Sequence, residues 1–426
     1  MAMQILAVGD LHLGAAPSRL PDELIGRARD IGTTGVWHRI VDQAITSAVD
    51  AVVLAGDVVE DEDDFFEAYR ELSRGVERLT GAGIRVLGVV GNHDVRVLPR
   101  LADQIEGFEL LGRGGDWETT ELAAGTERLT LHGWSFPQRQ VTRSPLQGHA
   151  FTPGAGPNLG LLHADRDQPA SVYAPVTSAE LDAAPLDGWL LGHIHKPDAL
   201  STDNPSGYLG SATGLNPGES GPRGPWLIRV EGGVIRAMEQ WLIAPLQWEP
   251  LRVDLTGLAS AEEAREKLIG AVGELDAVLT ARDLPPEAAA LRVTLCGRTD
   301  LGAEVRRVLE RESLDFIQAG QGRIHYFVEH LASATEPELS IEVLTQRSDP
   351  AGLMARRLQV LARPPEDAER RELIHRARQQ MKPRLERSWW QPLGTEGPDD
   401  AMLADWLRQA GTRALEKMLA HGADER

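Results

Sequence analysis

The amino-acid sequence predicts an α/β sandwich whose functional residues sit on the loops that follow its strands. Short apolar runs rich in Ile, Val and Leu recur through the first half of the chain, as buried strands require. Two of these runs flank an amphipathic stretch long enough to be a crossover helix, the signature of a βαβ unit. Residues able to ligate a metal follow the runs repeatedly, which is how a sheet gathers side chains from distant parts of a chain into one cleft.

Taken in order, residues 4–8, 51–55 and 84–90 read as strands. Between the last two, Phe65, Phe66, Tyr69, Leu72, Val76 and Leu79 recur at spacings of three and four, the apolar stripe of a helix that Gly81 and Gly83 end. Residues 129–132, 159–162 and 189–191 read as further strands. A hairpin follows: residues 226–230 and 234–237 flank Glu231-Gly232-Gly233. After residue 245 the pattern changes to strands at 251–255, 291–296 and 340–345, with helices at 261–279 and 303–312. From residue 347 the chain turns helical and basic, with eleven Lys/Arg against six Asp/Glu over residues 347–387. Pro364-Pro365 and Pro383 break it into short helices. A Pro/Gly-rich gap at 391–398 precedes a last amphipathic helix carrying Met402, Leu403, Trp406, Leu407, Leu415 and Leu419. These shifts divide the chain into 1–245, a small α/β domain at 246–346, and a helical region at 347–426. No internal repeat is present.

Composition narrows the class. No apolar run approaches the roughly 20 residues of a spanning helix, and the N-terminal MAMQILAVGD passes straight into a strand pattern. Cys296 is the sole cysteine, which excludes an internal disulfide and a cysteine-rich zinc site. A cytoplasmic protein is the expectation. The formal net charge of -20 argues against tight, autonomous binding to nucleic acid, so any such contact relies on local patches, bound cations or a partner.

The candidate site is built from seven residues: Asp10, His12, Asp57, Asn92, His163, His193 and His195. Residues i and i+2 of an extended chain face the same side, so Asp10 with His12, and His193 with His195, each offer two ligands to one ion. Gly192 lets the backbone bend there. Asp57 has two oxygens and can bridge, Asn92 offers a neutral amide oxygen, and His163 ends another strand. Carboxylate, amide and imidazole together suit hard or borderline divalent cations, and two such cations side by side are a standard means of breaking phosphate esters. Taken singly, each residue has a plainer reading as a turn, a helix cap or a core histidine. The ordered set does not.

That set, Asp10-x-His12, Gly56-Asp57, Gly91-Asn92-His93-Asp94, His163 and Gly192-His193-x-His195, resembles the calcineurin-like metallophosphoesterase superfamily over about the first 245 residues. The resemblance implies a four-layer α/β/β/α sandwich and two divalent metal ions. By position, Asp10, His12 and His195 would hold one ion, Asn92, His163 and His193 the other, and Asp57 would bridge them. His93 would be the non-ligand histidine that contacts the scissile phosphate and assists the leaving oxygen, held by Asp94. Glu60 stands where many relatives carry the last Asp of Gly-Asp-x-x-Asp, a position expected to support the loop. The acidic run that follows, residues 61–64, reads as a solvated helix start.

Three further motifs resemble the SbcD-like and YhaO-like DNA repair exonucleases: Asp10-Leu11-His12-Leu13-Gly14 followed by Val52-Val53-Leu54-Ala55-Gly56-Asp57; Tyr173-Ala174-Pro175 ahead of Leu191-Gly192-His193-Ile194-His195-Lys196; and Tyr208-Leu209-Gly210-Ser211 leading to Glu219-Ser220-Gly221-Pro222-Arg223-Gly224. In the last, relatives usually have Pro-Gly-Asn where Leu209-Gly210-Ser211 stands. This resemblance implies a Mn²⁺-dependent DNA nuclease, exonuclease or endonuclease. It would be a homodimer, with 246–346 as a capping domain, and would work with an SbcC-type coiled-coil ABC ATPase docked on the C-terminal helices. The basic stretch 347–387 is then either a solvated face or a docking surface for the ATPase or DNA, and Trp389-Trp390 a packing or partner anchor. A metal-dependent phosphodiesterase or phosphatase acting on a small nucleotide is the alternative.

Overall fold

The computed structural model describes residues 2–61, 63, 65–311, 314–320, 322–336, 341–385 and 399–424. They form two compact units. The first comprises Met1–Leu251, Leu268–Val293 and Ser313–Leu331; the second comprises Arg252–Lys267, Thr294–Glu312 and Ala332–Arg426. In chain order the elements are β1 (Met3–Val8), α1 (Asp22–Ile25), α2 (Ala28–Ile31), α3 (Thr33–Thr46), β2 (Ala51–Leu54), α4 (Phe65–Gly81), β3 (Arg85–Gly88), α5 (Leu98–Gln104), β4 (Phe108–Leu110), β5 (Trp117–Ala124), β6 (Glu127–Trp134), β7 (Asn158–His163), α6 (Ser178–Ala183), β8 (Gly188–Gly192), β9 (Ser206–Tyr208), β10 (Trp226–Glu231) and β11 (Val234–Gln240). They continue with β12 (Leu246–Asp254), α7 (Glu263–Thr280), β13 (Ala288–Cys296), α8 (Gly302–Arg311), β14 (His325–Ser333), α9 (Ile341–Leu344), α10 (Pro350–Leu361), α11 (Ala368–Leu385) and α12 (Asp400–Asp424).

Two sheets make the frame of the first unit. One has the order β11-β10-β1-β2-β3-β4, with β1 to β4 parallel; the other has the order β5-β6-β7-β8-β9, with β6 to β9 parallel. Strand periodicity sends alternate residues to opposite faces. Met3, Ile5, Ala7, Val53 and Leu87 therefore join Leu129, Leu131, Leu159, Leu161 and Leu190 of the second sheet in one apolar layer between the sheets. Leu6, Val8, Val52, Leu54 and Val86 face the other way and pack with Trp37, Ile40, Val41 and Ala44 of α3 and with Leu72, Val76 and Leu79 of α4. On the outer face of the second sheet, the Trp189 indole N–H donates to the Leu181 carbonyl of α6 at 3.1 Å. The layers run α/β/β/α, as the family resemblance implies. The C-terminal ends of β1, β2, β3, β7 and β8 are where the candidate ligands leave the sheets.

Several expectations require correction. Phe66 is 84% exposed and Tyr69 also reaches solvent, so the buried stripe of α4 is Ala68, Glu71, Leu72, Gly75, Val76 and Leu79. The strand expected at 340–345 is absent among the described residues. Ile341–Leu344 is a short helix, with Leu344 packed against Ala351, Ala355 and Leu415, and the third strand of the β12-β13-β14 sheet is β14. A run of alternating Ile and Val cannot by itself be told from one helical turn. Pro383 lies inside α11, near its C-terminal end, and does not break it. Pro350, by contrast, is at the first turn of α10, where Asp349 caps the helix by accepting from the Gly352 N–H at 2.9 Å. The second unit's helices bury Leu361, Ile374, Leu403 and Ala404 against one another. Trp389-Trp390, residues 391–398, and positions 62, 64, 386 and 387 of the two charged runs lie outside the described residues.

The contact between α3 and α4 is close. A Cβ on Gly75 would stand 2.4 Å from Nε1 of Trp37, whose N–H donates to the Glu71 carbonyl at 3.0 Å. Gly75→Ala would ordinarily favour a helix by about 1 kcal/mol. Here it is expected to destabilise by about 1–3 kcal/mol through overpacking, measured by denaturant unfolding. An equally stable variant would show that α4 can shift away from the indole.

Candidate metal centre

Backbone hydrogen bonds first fix the loops. Leu11 and His12 N–H groups both donate to the Asp57 carbonyl, at 3.1 and 2.9 Å, and Ala212 N–H donates to the Asp10 carbonyl at 3.1 Å. His12 (φ 51°), Asp57 (φ 46°) and His193 (φ 101°) all lie at positive φ, which non-glycine residues adopt at a cost of about 1–3 kcal/mol each. Two glycines admit this crowding. A Cβ on Gly192 would be 2.1 Å from the Ala55 carbonyl oxygen, and one on Gly91 would be 2.1 Å from Oδ1 of Asp57.

The seven candidate ligands converge. Donor atoms of Asp10, His12 and His195 lie within 4.8 Å of one another, and so do those of Asp57, His163 and His193. Nε2 of His12 is 3.1 Å from Nε2 of His195. Nε2 of His163 is 3.1 Å from Oδ1 of Asn92 and 3.2 Å from Oδ2 of Asp57. The same Asp57 oxygen is 3.9 Å from Nε2 of His12, so one carboxylate oxygen faces both groups. Asp57 Oδ1 accepts from the His93 N–H at 2.9 Å, and Asp10 Oδ1 accepts from the His193 N–H at 2.8 Å.

The chemistry of this donor set fits divalent cations. Asp10 Oδ2 is buried without a hydrogen-bond partner, a costly arrangement unless a cation satisfies it. Nδ1 of His163 lies 3.1 Å from the Ala55 carbonyl; donating there leaves Nε2 as the ligating nitrogen. Nδ1 of His195 is likewise 3.1 Å from Oε1 of Glu219. Burial works against charge on His163, but Asp57 and Asp10 outweigh it and raise the ring to about 9. Burial also opposes charge on His12, but Glu60, Asp57 and Asp10 raise it to about 9. For Asp57, burial pushes the carboxyl up, and His163 and His12 overcome that to hold it well below the carboxylate range.

Asp94 does not hold His93. Its Oδ2 accepts from the Val58 N–H at 2.7 Å and its Oδ1 from the Gly91 N–H at 2.8 Å, so it staples the Asp57 loop to the Asn92 loop. Burial and the neighbouring Asp57 charge raise it to about 7. The ring of His93 instead meets Glu60, with Nδ1 3.1 Å from the Glu60 carbonyl. Oε2 of Glu60 also lies 2.6 Å from Nδ1 of His12, out of line with the ring N–H, so the contact is an ion pair without a well-formed hydrogen bond. The longer side chain at this position thus reaches beyond the loop it was expected to support. Asp165 Oδ2 is 3.5 Å from Nε2 of His193. Motif spacing does not single out Asp165, because an acid two residues past a ligand reads as an ordinary turn.

Residues 3–197 match the family model of the calcineurin-like phosphoesterases, and all nine candidate site residues lie within that span. YhaO of Bacillus subtilis, described as an uncharacterized metallophosphoesterase, is 27% identical over 266 residues, 60% of this chain and 64% of its own length. The DNA double-strand break repair protein Mre11 of Haloferax volcanii is 26% identical over 278 residues, 62% of this chain and 58% of its own. The chain thus matches about three-fifths of the length of these curated relatives. The crystal structure of the calcineurin-like phosphoesterase YfkN from Bacillus subtilis aligns with 56% of this chain and 90% of its own at 13% identity and a TM-score of 0.36. The matched family consists of hydrolases that use divalent metals. Among the described residues no helix is long and apolar enough to cross a membrane.

If His12 and His163 are ligands, a cation would displace their protons, since the neighbouring carboxylates raise both rings to about 9 and a ligating nitrogen is unprotonated. Calorimetric titration of Mn²⁺ near neutral pH, in buffers of different ionisation enthalpy, should therefore show proton release. Affinity should rise about tenfold per pH unit for each proton displaced, and level off above about pH 9. Binding without proton release and with pH-independent affinity would show that no protonated imidazole is displaced from this centre.

Proposed function

We propose that this chain, whose residues 3–197 match the calcineurin-like phosphoesterases, is a Mn²⁺-dependent DNA nuclease with a two-cation centre. Asp10, His12 and His195 would hold one ion, Asn92, His163 and His193 the second, and Asp57 both. The observation that carries the reading is the shared position of Asp57 Oδ2, facing His163 at 3.2 Å and His12 at 3.9 Å. When bound, two divalent cations supply Lewis acidity toward a phosphoester and acidify water. The chain's own residues then have distinct tasks. The His93 backbone N–H donates to Asp57 Oδ1 at 2.9 Å, which would hold in place the carboxylate that both ions would share. The His93 ring, a third exposed, can donate from Nδ1 to the Glu60 carbonyl, leaving Nε2 to pass a proton to a departing oxygen.

The DNA substrate is supported by the similarity to Mre11 of Haloferax volcanii, a protein named for DNA double-strand break repair. The formal charge of -20 favours a partner that carries part of the DNA contact, and an SbcC-type coiled-coil ABC ATPase meets that need. Residues 246–346 would be the capping domain and 347–426 the ATPase-docking region. The exposed Phe66, in edge contact with Phe65 on α4, offers an apolar face that a homodimer would cover. The same acidic charge also favours a second reading, a phosphodiesterase or phosphatase of small nucleotides, which needs no extended basic surface.

Purified protein with Mn²⁺ is expected to cleave labelled single- or double-stranded DNA, and more strongly with the ATPase present. Turnover of cyclic nucleotides or nitrophenyl esters without DNA cleavage would favour the second reading. His93→Ala should keep both cation sites by calorimetry and lose about 10²-fold or more of its turnover. Near-normal turnover would remove His93 from the mechanism.

A further inference from the structure

The Tyr208-to-Gly224 motif is not used by the chemistry above, yet its residues close around His195. Glu219 is buried, and four groups converge on its carboxylate. Oε1 lies 3.1 Å from Nδ1 of His195 and accepts from the Asn216 side-chain amide. Oε2 accepts from Ser211 Oγ at 3.1 Å and from the Leu215 N–H at 3.2 Å. Arg223, also buried, donates from Nη1 to the His195 carbonyl and to Ser211 Oγ. The loop is seated from β12: the Trp248 indole N–H donates to the Gly214 carbonyl at 3.0 Å, and the Trp248 carbonyl accepts from Gly221 N–H at 2.8 Å.

We propose that Glu219 is a positioning residue for His195: it accepts the Nδ1–H, fixes the tautomer, and turns Nε2 toward the ion that Asp10 and His12 would share. The inference rests on the two-cation reading above. The need for a carboxylate follows from counting donors. With His195 Nδ1–H donating, both Glu219 oxygens face donors only, a pattern that two acceptor oxygens satisfy. A glutamine presents an NH₂ at one end, and that end would face either Ser211 with the Leu215 N–H, or His195 with Asn216. Arg223 holds the His195 backbone from the other side and offsets the buried negative charge, so ring and main chain are both located. Carboxylate support of a ligating imidazole commonly changes metal affinity by roughly 10- to 100-fold.

The test is Mn²⁺ titration of the full chain by calorimetry and electron paramagnetic resonance, comparing wild type, His195→Ala, Glu219→Gln and Ser211→Ala. Histidine ¹⁵N shifts of the metal-free proteins are recorded beside them. Glu219→Gln should weaken one of two Mn²⁺ sites by roughly 10- to 100-fold, leave the other within about twofold, and change the His195 tautomer signal. Ser211→Ala keeps the Glu219–His195 pair and should stay within a few-fold of wild type at both sites. If His195→Ala abolishes one site while Glu219→Gln leaves both affinities and the ¹⁵N signal unchanged, the positioning role is wrong and the metal reading stands. A glutamine variant with a lowered melting temperature and unaltered sites likewise overturns the positioning role, because it marks a purely structural residue. If His195→Ala leaves Mn²⁺ binding unchanged, the two-cation assignment fails and takes the inference with it.

Discussion

The placement of one buried carboxylate governs the whole centre. Asp57 sits with one oxygen between the His163 and His12 rings and the other on the His93 backbone N–H. An uncompensated carboxylate in that position would cost several kcal/mol, so it persists because the surrounding groups answer its charge. Its backbone is equally constrained. The Asp57 carbonyl takes two N–H groups from the Asp10–His12 loop, and Asp94 ties the next residue, Val58, to Gly91. Moving Asp57 would therefore disturb both imidazole groups and both flanking loops together. The positive φ at His12, Asp57 and His193 is the conformational cost of that concentration.

The two sheets contribute unequal halves. Asp10, His12, Asp57 and Asn92 follow strands of the six-stranded sheet, while His163, His193 and His195 end or follow strands of the five-stranded one. Each candidate ion would draw ligands from both. The centre therefore exists only when the sheets pack face to face in register, and the apolar layer of Met3, Ile5, Val53, Leu131, Leu161 and Leu190 is a precondition for it. Stability of that layer and assembly of the site are linked, which accounts for an almost fully apolar interior directly beneath a cluster of charges.

Much of this was legible in the sequence, for a physical reason. Parallel strands buried on both faces are written as continuous apolar runs, so β1, β2, β3, β7 and β8 were visible, and with them the residues at their ends. Elements that lack this property were not. β5 is a polar edge strand with Leu122 as its buried residue, β9 has three residues, and β14 mixes His and Glu into its run. The helical period at α4 was correct, but periodicity alone does not say which aromatics face inward, and Phe66 faces out. Within the site the candidate ligands were readable from spacing. The contacts behind them were not: Glu60 and Glu219 stand in motifs the sequence singles out and Asp165 in none, but what each one touches depends on distances that only folding creates.

Charge sets the order of events at this centre. Asp10, Asp57, Glu60, Asp165 and Glu219 bring five carboxylates to the imidazoles, with Arg223 as the buried guanidinium beside them. Asp94, raised to about 7, adds a partial charge. Protonated rings of His12 and His163 offset part of this, but no fixed arrangement of these side chains is electropositive. A phosphoester approaching such a site would meet net repulsion over a distance of about a Debye length. Two divalent cations would displace the two ring protons and so raise that balance only from net negative to close to neutral. On the two-cation reading, cation loading would therefore remove most of the repulsion that a phosphoester meets as well as supply Lewis acidity, and the side chains that orient the ligands would bear on both.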